Sequence, residues 1–170
     1  MVASTATLSR QVALLQQQVR AIRQTREAEH RPPRSATDLG GDLGIALDDW
    51  QARALSTDAR DVLLLASRQA GKSTVAAIMA LHQAAYAPSS LMLIVSPTER
   101  QSNLLLRTVR KQVARLRALP APIADGALSL ELHNCSAIHA LPGSEATVRG
   151  FSAVDLLILD EGARIPDELY

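Results

Sequence analysis

The sequence has little of what stabilises secreted proteins or crosses membranes. It contains one cysteine, Cys135, so no internal disulfide can form, and no second cysteine or histidine stands at a metal-ligand spacing from it. We interpret Cys135 as a structural residue of a protein from a reducing compartment. No apolar run reaches the roughly 18 residues that span a bilayer, and the N-terminus lacks the apolar core of a signal peptide. These absences predict a cytoplasmic protein with no membrane partner.

The chain also has almost no net charge. Its 18 Lys and Arg residues nearly balance its 17 Asp and Glu residues, so the formal net charge is +1. This balance excludes wholesale electrostatic attraction to nucleic acid, and a DNA contact would need a local basic patch or further protein. With 170 residues, 47% of them hydrophobic, the chain can build one globular domain with a core of its own.

The first 40 residues differ in pattern from the rest. Their apolar residues alternate at spacings of four and three, which predicts a helix with a heptad seam made of Leu8, Val12, Leu15, Val19 and Ile22. Pro32 and Pro33, followed by the pair Gly40 and Gly41, then predict a linker. We therefore divide the chain into an N-terminal helix and linker, 1–40, and a domain, 41–170. The helix can fold back on the domain or serve as a coiled-coil or partner-docking helix.

From residue 61 onward, short apolar runs alternate with helical stretches, which is typical of a parallel sheet with helices on both faces. Strands are predicted at 62–66, 91–95 and 155–159, with weaker ones at 128–132 and 137–141. The predicted fold class is α/β.

Two helices separate these strands. The first is predicted at 72–87, where Pro88 ends it, and the second from 99 to about 119, after the capping residues Thr98 and Gln101. One face of the second helix is basic through Arg100, Arg107, Arg110, Lys111, Arg115 and Arg117. A solvated surface and a stripe that faces DNA or another subunit both explain this face.

Residues 66–74 lie between a predicted strand and a predicted helix, which is the context of a Walker A phosphate-binding loop. The candidate ATP-binding residues here are Ser67, Arg68, Gln69, Ala70, Gly71, Lys72, Ser73 and Thr74. Gly71 lets backbone amides close around phosphate, Lys72 reaches the β- and γ-phosphates, and Ser73 places a hydroxyl on Mg²⁺. The first glycine of the usual pattern is absent, since Ala66 stands five residues before Gly71. An ordinary helix start is the structural alternative.

An apolar run at 156–159 ends in two acids, Asp160 and Glu161, which is the form of a Walker B motif. Asp160 is a candidate Mg²⁺ ligand. Glu161 is a candidate catalytic base that orients and deprotonates the water attacking the γ-phosphate. The alternative is a strand that simply ends in two surface acids.

Two further segments are candidates for ligand contact. Asp48 and Asp49 can cap a short helix that carries Trp50 and Gln51, whose indole and amide suit stacking and pairing with adenine. A buried tryptophan that anchors this helix is the alternative. In the loop at 143–150, Arg149 stands where a substrate or a neighbouring subunit could be touched, although ordinary loop chemistry explains it equally well.

Together these residues resemble the N-terminal ATPase domain of the large subunit of tailed-phage terminases, the motors that pump DNA into a procapsid and cut it. The likeness runs from about residue 48 to residue 163. It is most specific at 67–73, because that family typically replaces the first Walker A glycine and carries a basic residue inside the loop. By this resemblance, Trp50 and Gln51 look like the adenine motif, and Arg68 is a candidate catalytic residue that senses the γ-phosphate.

The resemblance implies a RecA-like P-loop NTPase fold, with ATP and Mg²⁺ as ligands. It implies double-stranded DNA, a terminase small subunit and a portal as partners of a homo-oligomeric ring. It further implies a coupling strand and a nuclease domain, so we expect this chain to be a fragment of a phage- or prophage-encoded hydrolase. A helicase-like P-loop ATPase fragment and a non-catalytic prophage remnant that binds only nucleotide or a partner are the alternatives.

Overall fold

The computed structural model describes residues 34–116, 122–143 and 150–165. These ranges contain four α-helices: α1 (Ala36–Asp42), α2 (Asp49–Leu55), α3 (Lys72–Tyr86) and α4 (Glu99–Arg115). They also contain five strands: β1 (Leu91–Ser96), β2 (Pro122–Gly126), β3 (Ser129–Leu132), β4 (Ala137–Pro142) and β5 (Leu156–Leu159). A 3₁₀ turn, Gly162–Arg164, follows β5. The predicted N-terminal heptad helix lies outside the described residues.

The strands form one sheet in the order β2-β3-β4-β1-β5. β1 pairs in parallel with β4 on one side and with β5 on the other, which confirms the α/β class with a parallel core. β2, β3 and β4 pair antiparallel, so a hairpin is added to the predicted parallel sheet. Val95 of β1 stands opposite Leu159 of β5. The carboxyl ends of these two strands therefore lie next to each other.

The described helices pack on one face of the sheet. Met92 and Ile94 of β1 are fully buried against them in the main core cluster. The opposite face carries a smaller cluster of Leu93, Val95 and Ile165, to which residues of strands and loops contribute. Within the described part of the chain, helices thus cover one face, whereas the sequence predicts them on both.

Residues 62–66 do not form the predicted buried strand. The side chains of Leu63 and Leu65 are 93% and 95% exposed, whereas Leu64 packs against the main cluster. The outer edge of β5 has no pairing partner among the described residues, and 62–66 does not occupy it. The prediction of a strand here is wrong, although α3 follows at the predicted position.

Gly40 and Gly41 lie inside α1, so the prediction of a linker at this pair is wrong. Ser35 caps the helix: its Oγ accepts from the N–H of Asp38 at 3.0 Å, and the Asp38 carboxylate accepts from the N–H of Ser35 at 3.3 Å. Leu39 is buried in the main cluster. The packed core therefore includes residues before position 40.

α4 begins after Thr98 as predicted, and the Thr98 hydroxyl oxygen accepts from the N–H of Gln101 at 3.3 Å. On the basic face, Arg110 donates to the Asp125 carboxylate at 2.6 Å and to the carbonyl of Gly126. Arg110 therefore ties α4 to the β2–β3 hairpin. The other described basic residues of this face are exposed: Arg100, Arg107, Lys111 and Arg115.

Cys135 lies in the turn between β3 and β4, where it is exposed and has a φ of +65°. Its setting is a surface turn and not the core. None of the described helices is both long and apolar enough to cross a bilayer.

Candidate functional site

The Lys72 loop, residues 66–74, bends sharply before it enters α3. Gly71 is the N-cap of α3 with a φ of +90°, and Gln69 has a φ of +62°. Both lie in the left-handed region, which costs a non-glycine residue roughly 1 kcal/mol or more. A Cβ at position 71 would in addition collide with Nε2 of Gln51, so this position requires glycine. The loop is therefore more specialised than an ordinary helix start.

The bend leaves hydrogen-bond donors at the head of α3. The N–H groups of Gly71, Lys72 and Ser73 meet no acceptor from the described residues, and the first bond of the helix runs from the N–H of Thr74 to the carbonyl of Gly71 at 3.0 Å. Unpaired N–H groups at a helix N-terminus carry partial positive charge and suit anions such as phosphate.

The Lys72 ammonium lies within the curve of the loop. Nζ donates to the carbonyl oxygen of Ala66 at 2.5 Å and to that of Ser67 at 2.8 Å. α3, which begins at Lys72, packs against β5, and the Lys72 ammonium opposes the rise in the pKa of Asp160 at the end of that strand. The structure thus brings together the two segments that the sequence identifies separately.

β5 ends at the acidic pair. The N–H of Asp160 donates to the carbonyl of Val95 at 2.9 Å, which continues the sheet bonding up to this residue. Glu161 then takes a φ of +54°, so the chain turns immediately after Asp160. Non-glycine residues in this conformation concentrate at functional sites. The Glu161 carboxylate lies 3.6 Å from the Arg164 guanidinium, an exposed pair that contributes little to stability.

The pKa of Asp160 is raised above the ordinary aspartate value of 3.8. Burial is the main cause, repulsion from Glu161 adds to it, and the Lys72 ammonium opposes both. A half-buried carboxyl group whose pKa is shifted by burial and by neighbouring charges is typical of ligand sites.

The oxygen atoms of Ser73 and Asp160 are suitable ligands for a hard cation that also binds phosphate. Ser73 is exposed at the head of α3 and offers a hydroxyl, and Asp160 offers a carboxylate; both are ligand types that Mg²⁺ prefers. The described residues contain no cluster of three or more His, Cys, Asp or Glu side chains that could hold a metal ion alone. Mg²⁺ at this place would take its remaining ligands from water and phosphate.

Trp50 and Gln51 lie on α2 beside the Lys72 loop. Gln51 is buried, with 6% of its surface exposed; its Oε1 accepts from the N–H of Asp48 at 3.0 Å, and its Nε2 donates to the carbonyl of Ala70 at 3.1 Å. Trp50 is half-buried and packs against the main core cluster. The structure thus brings Gln51 to the loop through its bond to Ala70, a contact that the sequence does not predict. The spacing of three residues between Asp48 and Gln51 does indicate the helix cap.

Arg68 is exposed and forms no ion pair with any described residue. Its guanidinium is therefore available to a ligand at the loop. Arg149, the other candidate arginine, lies outside the described residues.

Ser96, the last residue of β1, is not among the site residues that the sequence predicts, although the segment 96–98 is expected at the end of a strand. Met92, Ile94 and Ser96 alternate onto the helix-covered face, and Ser96 ends its strand beside the end of β5. Its side chain is fully buried, yet its Oγ has no hydrogen-bond partner among the described residues. Period-two alternation along β1, applied to its final residue, is the signal that could have identified it.

Comparisons with known proteins identify a family and a fold for this chain. A family model described as the N-terminal part of the terminase large subunit, T4likevirus type, matches residues 63–170. The ATPase domain of the large terminase of Thermus phage P74-26 is similar in structure, with a TM-score of 0.65 and 24% identity over 81% of this chain and 61% of that chain. A point mutant of that domain has the same TM-score and identity over 75% of this chain and 58% of that chain. No curated protein matches.

These structural neighbours establish the fold, and this chain spans about three fifths of their length. The family match covers more than half of the chain and includes the Lys72 loop, α3 and the acidic pair. The chain therefore belongs to the family of T4-like terminase large subunits, within their N-terminal region.

Proposed function

We propose that this chain binds ATP with Mg²⁺ and is the motor domain of a DNA-packaging terminase, which hydrolyses ATP in the complete packaging protein. The observation that carries the proposal is the juxtaposition of the Lys72 loop with the Asp160–Glu161 pair. A cation, free helix N–H groups and a hydroxyl lie at the head of α3, and α3 packs against β5, the strand that ends in the two acids.

The phosphate-binding part of the proposal uses the loop and the head of α3. The N–H groups of Gly71, Lys72 and Ser73 donate to the phosphate oxygens, and the bent backbone at Gly71 lets them do so side by side. The Lys72 ammonium gives up its hydrogen bonds to two backbone carbonyls and donates to phosphate oxygens instead. Its new acceptors are charged, whereas the carbonyls are neutral.

The chemical part of the proposal gives Asp160 and Glu161 different roles. Ser73 and Asp160 would hold Mg²⁺, which supplies charge neutralisation on the transferred phosphoryl group when bound. Glu161 stands one residue beyond Asp160 on a turned backbone and is exposed, so its carboxylate can hold a water molecule and accept its proton.

Arg68 has the third role. Its guanidinium is exposed in the loop and keeps its charge at any accessible pH, so it can donate two parallel hydrogen bonds to oxygens of the γ-phosphate. This arrangement stabilises the charge that develops as the γ-phosphoryl group leaves.

The family also suggests binding partners for the domain. We include double-stranded DNA, a small subunit and a portal as proposed partners, and a homo-oligomeric ring as the proposed assembly. The exposed arginines and lysine of α4 are the basic surface that such a partner could contact.

The experiment is a titration of the 170-residue chain with Mg·ATP by calorimetry, together with a phosphate-release assay on the packaging protein that contains this domain. Saturable binding that is lost in Lys72→Ala and kept in Lys111→Ala supports the proposal, because Lys111 is an exposed lysine on α4. Equal binding by all three proteins would remove the Lys72 loop from the function. Binding without phosphate release by that packaging protein would favour a nucleotide-binding module that does not hydrolyse ATP.

A further inference from the structure

Ser96 and Asp160 stand opposite each other at the ends of two neighbouring parallel strands. Val95 of β1 is paired with Leu159 of β5, so the next residue of each strand continues the same register. The N–H of Asp160 donates to the carbonyl of Val95 at 2.9 Å. On the other side of β1, the carbonyl of Ser96 accepts from the N–H of Gly143 at 2.8 Å. Sheet hydrogen bonds therefore hold the backbone of both residues in place.

The side chains of these two residues belong to the same face of the sheet. Along β5, Leu156 and Ile158 pack against the main core cluster, and period-two alternation continues from them to Asp160. Ser96 follows Ile94 onto that face along β1. Neighbouring strands lie about 4.8 Å apart, so rotation about side-chain bonds can bring the hydroxyl within hydrogen-bond reach of the carboxylate.

The hydroxyl of Ser96 is fully buried and has no hydrogen-bond partner among the described residues. Few buried polar groups of folded proteins stay unpaired, and such a group at a functional site commonly serves a ligand, an ion or a catalytic role. Asp160 is half-buried on the neighbouring strand. An ionised carboxylate has about four acceptor positions, so it can bind Mg²⁺ through one oxygen and accept from a hydroxyl through the other.

We propose that Ser96 is a positioning residue for Asp160, and that the Ser96 hydroxyl donates to the Asp160 carboxylate when Mg²⁺ is bound. The bond restricts the carboxylate to one orientation, which leaves its other oxygen for the ion. This inference rests on the proposed function, because it assumes that Asp160 is a ligand of Mg²⁺. Carboxylates that bind metal ions are in turn hydrogen-bonded, and the loss of such a partner typically lowers metal affinity about 10- to 100-fold.

The test measures ATP binding by calorimetry, once with Mg²⁺ and once with EDTA in its place, for the wild-type chain and for Ser96→Ala. We expect Ser96→Ala to lower the affinity for ATP about tenfold or more with Mg²⁺ and to leave the affinity in EDTA unchanged. An unchanged affinity for Mg·ATP would overturn the proposal. An equal loss in EDTA would overturn it as well, because Ser96 would then act on nucleotide binding without the metal ion.

A second variant separates the hydrogen bond from the packing of the side chain. Ser96→Cys nearly keeps the shape of serine, but a thiol is only a weak hydrogen-bond donor. We therefore expect Ser96→Cys to bind Mg·ATP as weakly as Ser96→Ala does. If it binds Mg·ATP like the wild type, the volume of the side chain is what matters and the proposal is wrong.

A double variant shows whether Ser96 acts through Asp160. Asp160→Asn removes the charged acceptor, so the addition of Ser96→Ala should lower the affinity for Mg·ATP by less than about twofold more. If the two losses multiply, Ser96 acts independently of Asp160, which contradicts a positioning role.

Ser136→Ala is the matched control. Ser136 is also fully buried, but it precedes Ala137, which pairs with Leu91 at the amino end of β1, far from Ser96. Its replacement should leave ATP affinity unchanged with and without Mg²⁺. Thermal unfolding followed by circular dichroism sets the titrations well below the melting point of every variant, so loss of folded protein cannot mimic loss of affinity.

The same titrations distinguish failure of this inference from failure of the proposed function. If the wild-type chain binds no ATP, the proposed function fails and this inference fails with it. If Asp160→Asn weakens Mg·ATP binding and Ser96→Ala does not, the proposed function stands and only the role of Ser96 is refuted.

Discussion

Lys72 and Ser67 are joined by a hydrogen bond of 2.8 Å from the lysine ammonium to the serine carbonyl. The carbonyl of Ala66 accepts from the same ammonium, so the start of the loop folds around the cation. In the proposed function, phosphate has to compete with two backbone carbonyls for Lys72. The competition favours phosphate, because a charged acceptor forms the stronger hydrogen bond with an ammonium group.

Replacing Lys72 by alanine should remove most of the affinity for Mg·ATP. We expect a loss of about 2–5 kcal/mol of binding free energy, the scale of a desolvated, charge-assisted contact. Calorimetry on Lys72→Ala measures it, with Lys111→Ala as the matched control. An unchanged dissociation constant would mean that the loop is a structural turn.

The two acids should give different phenotypes. Glu161→Gln keeps the shape of the side chain but cannot take a proton from water, so nucleotide binding should persist while hydrolysis stops. Asp160→Asn should instead weaken the part of nucleotide binding that depends on Mg²⁺. Titrations with and without Mg²⁺, together with phosphate release, measure both effects on the packaging protein that contains this domain. Equal effects of the two changes on binding would refute the separate roles.

Arg68→Ala should lower kcat by more than about tenfold and change nucleotide affinity much less, which is the pattern of a group that stabilises charge in the transition state. Arg68→Lys should restore only part of the rate, since an ammonium cannot donate two parallel hydrogen bonds. The measurement is steady-state hydrolysis by the packaging protein that contains this domain. Arg107→Ala, at an exposed position on α4, is the control. A normal kcat in Arg68→Ala leaves this residue without a catalytic part.

The raised pKa of Asp160 predicts a stability effect with a definite sign. Folding disfavours the ionised carboxylate, so this group destabilises the fold increasingly as pH rises from below 3.8 through its folded pKa. Asp160→Asn removes the charge and should make the nucleotide-free chain more stable than the wild type at pH 7. The gain should shrink as pH is lowered toward 4. Urea unfolding at a series of pH values measures this difference, and a pH-independent loss of stability would contradict it.

Ser96→Ala should cost the nucleotide-free chain almost no stability. The Ser96 hydroxyl is fully buried and has no hydrogen-bond partner in the described structure, so its removal leaves no partner unsatisfied. Ser136 is the matched control, because it is equally buried but donates to the carbonyl of Ala87 at 2.9 Å. Ser136→Ala should therefore lose about 1 kcal/mol of unfolding free energy. Equal losses in the two variants would show that Ser96 has a partner.

The sequence alone determined the parts of the molecule that local chemistry specifies. A helix of uncharged residues after Lys72, an apolar strand before Asp160, and a cap at Thr98 are each encoded within a few neighbouring residues, and all three lie where they are predicted. The Lys72 loop could be identified because its glycine, lysine and serine stand directly at the start of such a helix.

Only the tertiary structure decided how these elements are paired. The run at 62–66 is as apolar as a buried strand, yet a strand needs a neighbour to accept its hydrogen bonds, and that run has none among the described residues. Gly40 and Gly41 are poor helix formers, but packing of α1 against the core outweighs their propensity. The bond from Gln51 to Ala70 joins residues 19 positions apart, so no local pattern could reveal it. Local patterns record what a segment prefers, whereas its partners in space determine whether that preference is satisfied.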